Sequence, residues 1–445
     1  MTTPRGGRPL SLLSLALLSA ALVFGASQAG RALLHSKQGL DLAPSVAAAR
    51  ASLETRGFPV YDWSALQEVG RRYGLHGPLG AEDPIIEYAY APSTLLVYLP
   101  FAALPWPSAR VIWFALSIAA LLLAAHWWGR MVAPDGASPQ AWGWGAVAAT
   151  AVSFPSAYGW MAGQSNDFVL LLLVASFAAW RDGHASRAGW LAAPALLWKA
   201  FTGAPLLFWI VRSDRRALLA VVASMLALIL VSTLLVEPRA WLEWWEYILS
   251  PAKGPTAAMR NHSISGVMQL WFTANVIAPP IADSPLLARV ATWGLASLAL
   301  GLAARTLAAR PQPRDPHTAI QWSSTLVLAV LLVPRGWEHY GVLLLPAFIS
   351  CASGIVSRPR SPSTLIAALL LGAAFSTWAL LLMDRDDYTS AAAFPLVLGS
   401  KMSASLLLLG ISAWLIHTRP RAIDRDADRR GIRGSQAALE RRQLD

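Results

Sequence analysis

The sequence predicts an all-α polytopic membrane protein with about eleven to thirteen transmembrane helices. Three observations carry this. The 445 residues are 55% hydrophobic and only 14% charged, whereas soluble domains run to about a quarter charged. The apolar residues come in long unbroken runs, and roughly 18 or more in succession can cross a bilayer as a helix. Lipid offers the backbone no hydrogen-bond partner, so spans are helical unless they close into barrels; barrel strands would alternate in polarity, and these runs do not.

From the N-terminus, Met1 to Pro9 is short and basic through Arg5 and Arg8, and Leu10 to Phe24 is apolar. Gly25 to Ala29 would suit signal cleavage, but a polytopic chain more often keeps its first helix as an anchor. The loop that follows goes outside in either case. This first outer loop covers 30–91. Within it Pro44 to Leu53 is Ala-rich and helix-prone, Phe58 to Asp62 breaks it, and Trp63 to Tyr73 is amphipathic and suited to the interface plane.

Spans are expected at 92–105, 109–128, 140–158 and 166–180. The next run, 188–212, is interrupted by Lys199 and by Gly203-Ala204-Pro205, and reads as one kinked helix or two half-helices. The span at 216–236 is clean. A second outer loop, 237–284, opens with Trp241 to Tyr247, whose aromatics favour the headgroup level of an interfacial helix. Further spans are expected at 285–304, 319–333, 339–356, 364–383 and 391–416. Residues 1–416 thus read as one transmembrane domain. Residues 417–445 read as a basic tail without apolar periodicity, expected to be disordered.

The net charge is +11, but the basic residues sit in short clusters between spans and in the tail. The positive-inside rule explains them without nucleic acid. Arg212 to Arg216, Arg305 to Arg314, Arg358 to Arg360 and the tail then read as cytoplasmic, as does the N-terminus. That places 237–284, Arg335 to His339 and Asp384 to Tyr388 outside, beside the first loop, in a multi-pass protein of the plasma membrane. Strict alternation would put Gln164 inside and Arg181 to Arg187 outside, against the charge rule. A short or re-entrant segment among 92–105, 109–128 and 140–158 would repair this. The single Cys351 excludes a disulfide within the chain and a Cys-based metal site. No internal repeat of the kind an inverted-repeat transporter often shows is evident.

Ionisable and amide groups at membrane ends are costly unless paired or wet, which makes them functional candidates. Four sets stand out: Asp41; Gly163-Gln164-Ser165-Asn166-Asp167; Asn261-His262-Ser263 with Ser265-Gly266; and Trp337-Glu338-His339-Tyr340. Lys199 is a fifth. Each has a plainer reading. Asp41 is equally read as a solvated loop carboxylate. Gly163 to Asp167 suits a helix N-cap. Asn261-His262-Ser263 matches a glycosylation acceptor, Trp337 to Tyr340 an interface belt, and Lys199 a snorkelling amine. Asp384 to Asp387 resembles an acidic metal cluster but reads better as a solvated turn. No metalloprotease, Walker, dinucleotide or nucleophile-elbow pattern is present.

In order and spacing these sets resemble the polyprenol-phosphate-mannose-dependent α-mannosyltransferases of the GT-C superfamily, glycosyltransferase family 87. The resemblance covers roughly residues 36 to 350. Gly39-Leu40-Asp41, followed by Ala47-Ala48-Ala49 and Phe58 to Asp62, is similar to the family's early Asp segment. Tyr90-Ala91-Pro92 is similar to its Tyr-Pro-Pro entry, Gly163-Gln164-Ser165-Asn166 to its Gly-Gln-x-Asn motif, and Ala188-Gly189, Lys199 and Pro205 to the pattern that follows. Asn261, Ser263 and Gly266 resemble its Asn-x-Ser-x-x-Gly element, and Trp337-Glu338-His339 its Trp-Glu-His element. The chain departs from the pattern at Ser45, at Ala91 and in a longer Lys-to-Pro interval.

The resemblance implies a GT-C fold with two outer loops bearing interfacial helices. It implies inverting transfer of a mannosyl or related unit from a polyprenyl-phosphate-sugar donor to a glycolipid or glycan hydroxyl at the outer face. Asp41 would be the general base. Gln164, Asn166, Lys199, Asn261, Ser263, Glu338 and His339 would bind substrate. Such a donor needs no nucleotide fold, and no cofactor or metal is expected. A lipid-linked sugar flippase or other multi-span transporter is the alternative, and a lipid-linked glycan polymerase or ligase a third reading.

Overall fold

The computed structural model describes residues 12–34, 39–75, 86–250, 254–380, 397 and 399–418. The expectations for Met1 to Pro9, for Asp384 to Tyr388 and for the tail past Thr418 lie outside these residues. Among the described residues the protein is all-α, with no strand and one isolated bridge between Asn261 and Trp337.

The first helix, α1, spans Leu12–Leu34, and the first outer loop holds two more, α2 (Ala43–Glu54) and α3 (Trp63–Arg72). The Asp62 carboxylate caps α3 by accepting from Ala65 N at 3.1 Å. It thereby satisfies one of the donors a helix start leaves without a partner. A 3-10 turn at Pro92–Thr94 leads into the short α4 (Leu95–Ala102), followed by the long α5 (Trp106–Met131). The expected span at 140–158 is divided into α6 (Pro139–Ala151) and α7 (Phe154–Ala162). Pro155 sits in the first turn of α7, where its missing N–H costs nothing but where it cannot continue α6. The next helix, α8 (Asn166–Arg181), meets α7 at 119°.

The run at 188–212 is two half-helices, α9 (Ala185–Trp198) and α10 (Pro205–Val211), separated at Lys199 and a 3-10 turn over Ala200–Gly203. The Thr202 hydroxyl donates to Lys199 O at 2.7 Å and to Ala195 O at 3.1 Å, closing the broken end. Then come α11 (Arg215–Ser232), the Trp-rich α12 (Arg239–Leu249), α13 (Ile264–Phe272), α14 (Pro285–Ala308) and α15 (Pro316–Leu332). A 3-10 segment, Glu338–Leu344, runs into α16 (Leu345–Val356), and α17 (Pro362–Leu380) and α18 (Ser400–His417) complete the order.

Six of these are long and apolar enough to cross a membrane: α5, α11, α14, the 338–356 segment, α17 and α18. The bent α7–α8 pair makes a seventh if it counts as one span. Shorter apolar helices over 92–102 and 200–211 supplement them. The chain is therefore a multi-pass membrane protein. Most of its core is one apolar cluster running from α2 to α18, with two small clusters beside it. At its centre α8 buries Val169, Leu170, Leu173, Val174 and Phe177, and Phe177 meets Trp128 and Trp322 with ring centroids 5.1 Å from each.

The basic helix ends gather at one end of the bundle. Arg181 donates to Met131 O at 2.7 Å, Arg212 to Pro311 O at 3.1 Å, and Arg314 pairs with Asp182 at 3.6 Å. His417 contacts Arg305 O at 2.9 Å. The 16 residues of α8 carry the chain about 24 Å away from this end, to Asn166.

Candidate functional site

Asn166, Gln164 and Gly163 stand where α7 turns into α8, and the loop carrying Asp41 docks there through its main chain. Gly39 N donates to Met161 O at 2.9 Å and Asp41 N to Ala162 O at 2.8 Å. The two loops meet so closely that only glycine fits at the junction. Gly163 has φ +74°, and a Cβ there would lie 3.0 Å from both Gly39 Cα and Leu42 Cβ. Behind the turn, α2 is nearly fully buried along Ala43, Ala47, Ala48 and Ala51. Its small side chains let it lie inside the protein against α4.

A cavity of about 320 Å³ opens at this junction. Asp41, Gln164, Lys199 and His339 line it, together with Glu87, Tyr88, Tyr90, Tyr158, Trp337 and Tyr340. Five chain segments therefore supply the polar groups, and tyrosines supply much of the wall. Three of the polar groups are joined. The Gln164 amide nitrogen donates to an Asp41 carboxylate oxygen, and the Lys199 ammonium donates to the Gln164 amide oxygen at 3.0 Å. This bonding fixes which way the amide faces. An anion and a cation thus share one neutral relay, and neither is left bare in an apolar setting.

Lys199 is 5% exposed and lies over the rings of Tyr90 and Tyr340, 5.1 and 4.9 Å from their centroids. The amine points inward, so it does not snorkel. Asp41 is partly exposed. Burial by the surrounding protein pushes its carboxyl above the usual carboxylate range, while the Gln164 hydrogen bond and the Lys199 charge pull the other way.

His339 stacks on Tyr158, with centroids 5.9 Å apart and planes 17° apart, and its Nδ1 has no hydrogen-bond partner among the described residues. Its main chain is tethered by Asn166, whose side-chain amide donates to His339 O at 2.9 Å. Asn166 therefore stands one bond behind the cavity.

Asn261, Ser263 and Glu338 do not line the cavity. Asn261 is 2% exposed and tied to the 334–337 turn. It donates to Thr256 O at 3.0 Å and Pro334 O at 3.2 Å, and accepts from Gly336 N at 2.7 Å and Ser263 Oγ at 2.9 Å. Ser263 also caps α13 through Gly266 N at 3.0 Å. Asn261 is thus too enclosed to act as a glycosylation acceptor. Glu338 is fully buried between His262 and Lys401. Sequence reasoning did not single out Tyr158 or Lys401. Tyr158 closed the expected span at 140–158, and Lys401 lay within the one expected at 391–416.

The model of glycosyltransferase family 87 matches residues 88–334, more than half of the chain. The chain belongs to glycosyltransferase family 87. No curated protein matches it. The matched stretch of this glycosyltransferase includes Gln164, Asn166, Lys199, Asn261 and Ser263, while Asp41, Glu338 and His339 fall on either side of it. The fold brings both flanks of the matched stretch into the same cavity wall.

Proposed function

We propose that this cavity is the transfer site of an inverting glycosyltransferase that uses a polyprenyl-phosphate-sugar donor, with mannose as the sugar. The acceptor is a hydroxyl of a glycolipid or glycan at the outer membrane face. The observation that carries the reading is the linked set Asp41–Gln164–Lys199, facing His339 across a tyrosine-lined cavity.

Inverting transfer needs one general base opposite the leaving group. Asp41 takes the acceptor proton as the acceptor oxygen bonds to the anomeric carbon. The bond from that carbon to the phosphate oxygen breaks, and the electron pair leaves with polyprenyl phosphate. A phosphate leaving group is helped by positive charge and hydrogen-bond donors more than by a general acid. Lys199 supplies the charge, and Gln164 and His339 supply polar contacts for phosphate or sugar hydroxyls. A lateral groove of about 480 Å³ between α6, α16 and α17, lined by Trp142, Phe348, Ile349, Leu371 and Phe375, suits the isoprenoid chain. Its helix α16 continues directly from the segment bearing His339.

The sidedness follows from charge. The basic ends gather at the far end of α8, and the positive-inside rule assigns that end to the cytoplasm. The short α4, between Tyr90 in the cavity wall and Trp106 against Gly39, supplies the non-crossing segment that alternation requires. The test is transfer from radiolabelled polyprenyl-phosphate-mannose in membranes holding the full chain. Wild type is expected to form labelled product, and Asp41→Asn, expressed to the same level, is expected to lose it. Undiminished product from that variant would remove Asp41 as the base.

A further inference from the structure

The groups just behind the cavity form a second polar set that the transfer mechanism does not use. Glu338, Lys401 and His262 are each 0% exposed. The Lys401 ammonium is ion-paired with one Glu338 oxygen, and His262 Nε2 lies 2.7 Å from the other. Trp378 covers the group. Its ring is edge-on to His262 at 5.4 Å, and its Nε1 donates to Lys401 O and to Ser405 Oγ, each at 3.0 Å. Lys401 also lies 5.5 Å from the ring of Phe154, at the start of α7.

Both oxygens of Glu338 are thus engaged inside the protein, and none reaches the cavity. Its chain neighbours Trp337, His339 and Tyr340 do line the cavity. Charges in an apolar interior are stable only while every partner is in place, because removing one strands the others. A buried carboxylate gripped from two sides therefore fixes the backbone on which those neighbours stand.

We propose that Lys401 and His262 are positioning residues: through Glu338 they hold the Trp337–Tyr340 wall, so that the last helix, α18, helps set the geometry of the cavity. This rests on reading the cavity as the transfer site. Glu338 is then a strut and not a substrate ligand, and Lys401, beyond the family-matched stretch, serves the reaction without touching substrate.

The test compares Lys401→Met and Lys401→Arg with wild type, each as the full chain in lipid nanodiscs. Electron cryomicroscopy locates His339 and Tyr340, and transfer from polyprenyl-phosphate-mannose gives kcat and KM. In Lys401→Met the helices are expected to stay in place while the His339–Tyr340 wall shifts. There kcat should fall at least tenfold with little change in donor KM, and Lys401→Arg should recover most of it. An unmoved wall in Lys401→Met overturns the proposal. So does a pattern in which Glu338→Gln raises donor KM while Lys401→Met leaves kcat and KM alone, since Glu338 would then be a ligand. If wild type transfers nothing from this donor, the donor assignment fails, and the position of the wall still decides the role of Lys401. Should Lys401→Met not fold, His262→Gln breaks the same network from the other side and is read in the same way.

Discussion

In the proposed mechanism Asp41 is the general base, which works only when ionised, and its setting opposes ionisation. Burial raises its proton affinity, and Gln164 and Lys199 only partly offset the effect. Transfer should therefore fall as pH falls through the raised pKa, at a higher pH than a solvent carboxylate near ~3.9 would give. Lys199→Met removes one influence that lowers this pKa. Its acid limb is expected at higher pH than that of wild type in a pH–rate profile of kcat/KM. The same shift fixes a sign for stability. A carboxyl whose folded pKa exceeds its unfolded value stabilises the fold only while protonated, and that contribution is lost as pH rises through the folded pKa. At neutral pH Asp41→Asn should therefore not lower the melting temperature, although it should reduce transfer by about 100-fold or more. Asp41, Gln164, Lys199 and His339 were all legible in the sequence, because a charge or amide beside an apolar run is costly enough to draw notice. Lys401 was not, although it falls within the span expected at 391–416, because its partner Glu338 lies 63 positions earlier and nothing in the sequence joins the two.

Breaks in helices decide which residues reach the cavity, and only some of these breaks were readable. Lys199 followed by Gly203-Ala204-Pro205 announced the division of α9 from α10. Pro155 gave the same kind of signal between α6 and α7, yet the run around it was apolar enough to pass as one span. The α7–α8 bend depends on Gly163 in a left-handed conformation. Gly163→Ala should cost about 1–3 kcal/mol from backbone strain alone. A thermal melt in detergent is expected to show the loss, and transfer should fall with it, because the added methyl pushes against the Asp41 turn. Asn261 belongs to this scale as well, as the latch between the α13 start and the 334–337 turn. Asn261→Ala removes the four hydrogen bonds described above and should cost about 2–4 kcal/mol, at roughly 1 kcal/mol each. Melting temperature should drop, while the donor KM of the remaining folded protein stays near that of wild type. A raised KM at unchanged stability would return Asn261 to the substrate.

Across the whole molecule, composition fixed the membrane class, because no soluble fold hides so many uncharged apolar runs. The arrangement of crossings was harder to read. Hydropathy reports where a chain is apolar and not where it bends, so several expected spans are short or broken helices. Orientation can be read by labelling single cysteines in a Cys351→Ala background, where the one native thiol, fully buried, is gone. A cysteine replacing Arg239, whose side chain is 80% exposed on α12, should react with an impermeant maleimide in intact cells. One replacing the exposed Arg187 should react only after the membrane is opened, and the reverse result would invert the assigned sidedness. One consequence comes from the main-chain bonds that pin Gly39 and Asp41 to the end of α7. Amide-to-carbonyl links are indifferent to which side chains surround them. On the proposed mechanism, descendants of this chain can therefore remodel the tyrosine lining without relocating Asp41, so substrate choice is free to drift while the chemistry stays put.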